Sequence, residues 1–204
     1  ENNTHALALN GWRGVWIDAD PKKINFIRSI IPDNSKLAII CERITTSNVY
    51  NTVKQAIDHF GSDEIDFFSL DIDNQDLFVL KSFITNSKPR VICVEYNAKF
   101  PPPMMVSVNS DNKAWSGDDY EGASLYCFVK ILKDEGYTLL TCNLSGVNAF
   151  FIRSEDATKF PSFTPEQLYQ PARYDLIRLS SGHQASLKFL RNAVLSRKPP
   201  YQAD

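Results

Sequence analysis

Four stretches of this chain are apolar almost without a break: residues 15–17, 36–41, 65–71 and 90–95. A strand with one wet face alternates apolar and polar residues, whereas one that is apolar throughout is covered on both faces. Between these runs the period changes. Ile24, Ile27, Ile30 and Ile31 follow Pro21, and Val49, Val53, Ile57 and Phe60 follow Ser47 and Asn48. Leu77, Leu80, Phe83 and Ile84 stand within residues 74–85. Spacings of three and four put each set on one stripe of a helix. Pro21 suits a first helical turn, Ser47 or Asn48 an N-cap, and Gly61 a C-terminal stop. Strand and helix in alternation predict an α/β sandwich on a mostly parallel sheet.

The flanks add to this plan. Residues 3–10 read as a helix capped by Asn3 or Thr4. Beyond the fourth run the pattern stops at residues 97–120, which hold Pro101, Pro102 and Pro103 and many small polar residues. An irregular insertion of that length is expected to be a functional lid or disordered. A helix over 121–136 precedes strand-like runs at 137–142 and 147–152, with Ser145 and Gly146 between them. Two strands that close predict an antiparallel hairpin at the sheet edge. Helices are expected near 164–170 and 183–196. The organisation predicted is an α/β domain over 1–153 and a helical extension over 154–204.

Composition excludes some partners. Over 204 residues the formal net charge is -2, which gives no footprint for nucleic acid. No apolar run approaches the roughly 20 residues that span a bilayer. Cys41, Cys93, Cys127 and Cys142 lack paired metal-ligand spacing, and three lie in apolar strand-like runs. Buried thiols in a reducing, cytoplasmic compartment are the expectation. Oligomeric state cannot be read.

The candidate chemistry gathers at strand ends, where open α/β sheets bind ligands. Asp18 closes the first run. A carboxylate there can accept from both ribose hydroxyls of a nucleotide cofactor, while Asp20, beside Pro21, suits the helix cap. Glu42 follows the second run, where its carboxylate could take an adenine amine, with Ile44 over the ring. Asn3 and Thr4 open the first helix, whose free amides attract a carboxylate. Asp71 and Asp73 flank the end of the third run, with Asp73 also a candidate cap. Glu95, Tyr96 and Asn97 end the fourth. Glu95 is the candidate general base, and Asp71 a second catalytic candidate that could orient the cofactor. Hard oxygens from Asp71, Asp73 and Glu95 would suit Mg²⁺ better than Zn²⁺, but a bound metal is the minority expectation. Trp115 and Tyr120 could wall an acceptor. His5, His59 and His183 have no triad-like partner in sequence.

Several segments in order carry a resemblance: Glu1-Asn2-Asn3-Thr4 with Gly11-Trp12, Val15-Trp16-Ile17-Asp18-Ala19-Asp20-Pro21, Ser69-Leu70-Asp71-Ile72-Asp73-Asn74, Val94-Glu95-Tyr96-Asn97, Tyr120-Glu121-Gly122-Ala123-Ser124-Leu125, Gly136-Tyr137 and Gly146-Val147-Asn148-Ala149-Phe150-Phe151. Over residues 1 to 153 the chain resembles FkbM-type S-adenosylmethionine-dependent methyltransferases, in a poorly characterised branch. The resemblance implies a Rossmann-like class I methyltransferase fold ending in an antiparallel hairpin. It also implies S-adenosylmethionine as cofactor, with Asp18 on its ribose. Two departures stand out. The family's Gly-rich turn, and the strand before it, would precede Glu1. Asn74 stands where the family has glycine, and asparagine tolerates the left-handed conformation. Upstream residues carrying that central strand are therefore expected. The activity implied is O-methylation of a small or saccharide-like acceptor. Two rivals are a non-catalytic methyltransferase-like binding module and an NAD-dependent oxidoreductase using Asp18. No Gly-x-Gly-x-x-Gly supports the second.

Overall fold

The computed structural model describes residues 3–31, 36–62, 64–110 and 118–173. In chain order its elements are α1 (His5–Leu9), β1 (Gly14–Asp18), α2 (Pro21–Ile30), β2 (Leu37–Cys41), α3 (Val49–Asp58), β3 (Phe67–Leu70), α4 (Asp76–Ile84), β4 (Val91–Glu95), α5 (Leu125–Asp134), β5 (Tyr137–Cys142), β6 (Asn148–Arg153), α6 (Ser154–Ala157) and α7 (Pro165–Leu168). The alternation predicted from periodicity is present, with shorter elements. The opening helix has one turn and a half, and the helix expected over 164–170 is the short α7, held by a capping box between Thr164 and Gln167. The helix expected over 183–196 lies outside the described residues.

The strands form two sheets rather than one. β1 pairs with β2 in parallel, Gly14 opposite Leu37 and Asp18 opposite Cys41. β3 pairs with β4 in parallel, and the expected hairpin of β5 and β6 docks antiparallel on β4, giving the order β3-β4-β6-β5. β1 and β3 are not paired; both line one cleft of about 1600 Å³.

The larger core lies against one face of the four-stranded sheet. Phe68, Leu70, Ile92, Val94, Ala149 and Phe151 of the strands meet Leu77, Leu80, Phe83 and Ile84 of α4 and Leu125, Phe128 and Leu132 of α5. Phe68 and Phe83 stack with ring centroids 4.2 Å apart. A smaller cluster joins Ile24 of α2 to Leu37 and Ile39 of β2, with Trp16 against it.

The insertion is not loose where it is described. The Asn97 amide donates to the carbonyls of Asp119 and Glu121, at 2.9 and 3.0 Å. Lys99 Nζ lies 2.9 Å from Glu121 and 3.5 Å from Asp119, with the Lys99 and Asp119 side chains 4% and 3% exposed. Phe100, Val106 and Val108 are buried. A buried lysine is tolerable only when paired in this way. Residues 97–110 and 118–122 are thus fixed to the core, and Trp115 lies outside the described residues.

The segment after α7 straps the hairpin. Tyr96 Oη donates to the Gln170 carbonyl and the Arg173 amide to that of Ser145, each at 2.7 Å. Gly146 sits beneath, at φ 71°, and a Cβ on it would meet the Pro171 carbonyl oxygen at 2.2 Å. Gly146→Ala is expected to cost about 1–2 kcal/mol through strain and clash. Thermal unfolding would register a drop of several degrees, and an unchanged midpoint would dismiss the strap.

Cys93, Cys127 and Cys142 are buried as expected, but Cys41 is exposed. It ends β2, the edge strand of the two-stranded sheet. Among the described residues no helix is long and apolar enough to cross a membrane.

Candidate functional site

The cleft between β1 and β3 gathers most of the residues singled out by sequence. Asn3, Thr4, Asp18, Glu42, Ile44 and Asp71 all line it, and so does Asp73. The convergence follows from chain direction. Arg13, just before β1, donates to the Phe60 carbonyl ahead of β3 at 2.7 Å, so the two strands begin at one end. Their carboxyl ends, with the turn after β2, then open together at the other, as expected for ligand sites in α/β sheets.

Each polar group there has a local duty to weigh against a ligand. Asp18 Oδ1 accepts from the Asp20 amide at 2.7 Å, and Oδ2 is 3.4 Å from the exposed Lys23 ammonium. Asp20, not Asp18, caps α2 by accepting from the Lys22 amide. Among the described residues one carboxylate oxygen of Asp18 is therefore held by backbone while the other meets a solvated lysine. Glu42 is more committed: Oε1 accepts from the Asn48 amide side chain at 3.0 Å and Oε2 from the Thr52 hydroxyl at 3.1 Å. Asn48 is the N-cap residue of α3 but makes no side-chain cap bond, because its amide serves Glu42. Thr4 likewise stands at the start of α1 without capping it, its hydroxyl accepting from the Trp16 indole at 2.8 Å. Asn3 donates to the Ser69 hydroxyl at 3.3 Å. With α1 only five residues long, the dipole expected to attract a carboxylate is small.

The second half of the site is a row of polar side chains across three strands. Leu70 pairs with Val94, which puts Asp71 beside Glu95, and Glu95 pairs with Asn148 on β6. Directly opposed residues share a sheet face. Burial pushes the Glu95 carboxyl up to about 9, helped by the nearby Asp71 and Asp76 charges and by its hydrogen bond to Asp71. Burial also raises Asp71, and the bond from Glu95 partly offsets this. In this pair Glu95 is the hydrogen-bond donor and Asp71 the acceptor. Asp76, buried at the start of α4, is raised to about 7 by burial even though it accepts from the Ile72 amide at 2.9 Å. Asn148 is 1% exposed, and among the described residues neither its Nδ2 nor its Oδ1 has a hydrogen-bond partner.

These facts change several expectations. Burial favours the protonated form of Glu95, and Glu95 does not line the cleft. The left-handed residue after β3 is Asp73, at φ 70°, instead of Asn74. Asn74 is buried, and its oxygen accepts from the Gly122 amide at 3.2 Å. Asp73 does not cap α4, whose N-cap is Gln75. Asp71, Asp73 and Glu95 do not assemble as a metal set: among the described residues no three His, Cys, Asp or Glu side chains are placed to hold a metal ion. Tyr96 and Asn97 serve the strap and the insertion. Tyr120 Oη is 3.4 Å from Asn109 Oδ1, within the same insertion. His5 packs edge-on to Trp16, and His183 lies outside the described residues.

Two polar residues close to this group, Asp76 and Asn148, were not singled out as site residues. Asp76 looks in sequence like an ordinary first-turn acid. Asn148 becomes a neighbour of Glu95 only through the hairpin register.

Compared with protein-family models the chain gives no match, and compared with curated proteins it gives none.

Proposed function

We propose that the chain is an S-adenosylmethionine-dependent O-methyltransferase of the FkbM type, acting on a small or saccharide-like acceptor. A Rossmann-like class I sandwich is the frame this reading implies. One observation carries it. Asn3, Thr4, Asp18, Glu42, Ile44 and Asp71, chosen from sequence for a cofactor, line a single cleft.

The residues suit that cofactor unevenly. Asp18 suits the ribose, since Oδ1 is fixed by the Asp20 amide and Oδ2 is open to accept. Ile44 offers the adenine an apolar surface. Glu42 contributes shape more than recognition, because both oxygens already accept hydrogen bonds. When bound, S-adenosylmethionine supplies the methyl group as an electrophile. The chain's own part is to place the acceptor hydroxyl and take its proton. Asp71 is the group for that, being the acceptor of the pair's hydrogen bond and the member that borders the cleft. Glu95, donating to Asp71, holds that carboxylate in place and is a positioning residue.

The test is calorimetric titration of S-adenosylhomocysteine into the protein expressed from its whole gene, with a nicotinamide dinucleotide as control. Micromolar binding of the first and none of the second is expected. Absence of S-adenosylhomocysteine binding would overturn the proposal.

A non-catalytic binding module is the second reading. The engagement of Glu42, Asn3 and Thr4 in the fold's own hydrogen bonds favours it. That module would bind without any turnover of S-adenosylmethionine.

A further inference from the structure

A second cavity, of about 360 Å³, opens at the amino ends of β3 and β4, away from Asp71 and Glu95. Val53 and Ile57 of α3, Ile65 ahead of β3 and Phe83 of α4 give it an apolar floor. Phe83 is 1% exposed and belongs to the core, whereas Val53, Ile57 and Ile65 are only half-buried. Aliphatic side chains left half wet in a recess gain from an apolar group that covers them. The volume lies in the lower part of the roughly 300–1,000 Å³ range of small-molecule pockets, which suits one ring or a short chain.

The rim has a sign. Lys54 comes from α3, Lys88 from the segment between α4 and β4, and Arg153 from the end of β6. Among the described residues the one carboxylate lining the cavity is Glu64. It is already engaged, its Oε1 lying 3.0 Å from Arg90 and 3.2 Å from Arg153. Arg153 is equally committed, because its Nε also donates to the Lys88 carbonyl at 3.1 Å.

The two lysines are the movable charges. Lys54 Nζ meets Asp58 one turn along α3, at 2.5 Å, and Lys88 Nζ meets Glu135. Neither of those carboxylates lines the cavity. The lysine side chains are 41% and 48% exposed, and ion pairs in that setting are weak in water. An anion seated over the apolar floor therefore draws both ammonium groups inward at little cost. Tyr50, Asn86 and Ser87 add hydroxyl and amide groups to the same wall.

We infer that this cavity binds a phosphate monoester with a small apolar body, its phosphate held between Lys54 and Lys88 and its ring or chain on Val53, Ile57 and Ile65. Two ammonium groups match the nearly double charge of a phosphate monoester better than the single charge of a carboxylate. Lysine also serves phosphate as a point charge, without the fixed fork that arginine brings. The site does not rest on the methyltransferase reading, since Asp18 and Asp71 stand at the carboxyl ends of their strands. Val53 and Ile57 also border the large cleft, so α3 is the wall between the two.

Titration of phenyl phosphate into the whole protein at low salt, followed by amide NMR, tests this. A dissociation constant below about 1 mM is expected, with the largest shifts at Tyr50, Ile57, Phe83 and Ser87. Inorganic phosphate and benzyl alcohol each carry half of the ligand and are expected to bind at least about tenfold more weakly. The double variant Lys54→Ala, Lys88→Ala changes two surface positions and is expected to fold. It should lose about tenfold in affinity for phenyl phosphate and none for benzyl alcohol. Phenyl phosphate that binds no better than benzyl alcohol, or equally well to the double variant, would overturn the inference. So would shifts confined to the Asp18 end of the large cleft. Saturating S-adenosylhomocysteine is expected to leave the phenyl phosphate affinity within about twofold, so failure here is separate from failure of the proposed function.

Discussion

Glu95→Gln is expected to raise stability at about pH 8 by roughly 2–3 kcal/mol and to flatten its decline with pH. The reason is proton linkage. In the folded chain Glu95 keeps its proton up to about 9 and Asp76 up to about 7, both because they are buried. Their ordinary values are 4.5 and 3.8, so an unfolded chain releases both protons far earlier. Across that interval the folded state binds more protons, and stability falls as pH rises. The loss begins above about pH 4, grows through neutrality and levels off above about pH 9. Glutamine keeps the donor that Glu95 offers Asp71 and has no proton to lose, so the decline that remains is the share of Asp76 and of Asp71, both raised by burial. Glu64 and Asp156 work in the opposite sense at the acid end, where hydrogen bonds from Arg90 and Lys159 lower them, but both are exposed and screened by solvent. Thermal unfolding from about pH 5 to about pH 9 is the check, with an expected gain of roughly 5 °C at about pH 8. A Glu95→Gln protein whose midpoint falls as steeply as that of the unchanged chain would show that Glu95 is already ionised.

The same numbers explain what sequence could and could not reveal. The run Arg90–Glu95 showed that a strand ends in an acid, and the spacing of Leu77, Leu80, Phe83 and Ile84 showed which face of α4 is inward. Both are local patterns. That the Glu95 carboxyl is raised depends on burial and on Asp71, which arrives from another strand. Asn148 depends on hairpin register, which the spacing around Ser145 and Gly146 leaves open. The left-handed residue was expected at Asn74 because asparagine tolerates it, yet Asn74 is drawn to the Gly122 amide and Asp73 takes the strained turn. Tertiary contacts outweigh local preference at these places. Apolar runs marked β1 and β3 as buried strands, but runs alone do not say which strands are neighbours, so the two-sheet division emerges only from pairing.

Asp18→Ala is expected to weaken S-adenosylhomocysteine binding by about 1.5–3 kcal/mol, or roughly 10- to 150-fold, the worth of charge-assisted hydrogen bonds to a hydroxyl pair. Alanine alone does not isolate that effect, because Asp18 also accepts from the Asp20 amide at 2.7 Å and its loss loosens the turn into α2. Asp18→Asn separates the two duties. Asparagine can keep a carbonyl oxygen on the Asp20 amide while losing the charge and one acceptor, so the turn survives and the affinity still falls. Asp20→Ala is the opposite control. It removes the cap on the Lys22 amide and is expected to cost about 1 kcal/mol of stability with little change in affinity. The Lys23 ammonium, 3.4 Å from Asp18 and mostly exposed, adds little in water, so Lys23→Ala should leave affinity within about threefold. Calorimetry on the four proteins gives the pattern. A loss of affinity shared by Asp18→Ala and Asp18→Asn but absent from Asp20→Ala and Lys23→Ala places the ribose on the free oxygen of Asp18. Equal affinity in Asp18→Asn and the unchanged chain would remove the carboxylate from recognition and leave Asp18 as the residue that turns β1 into α2.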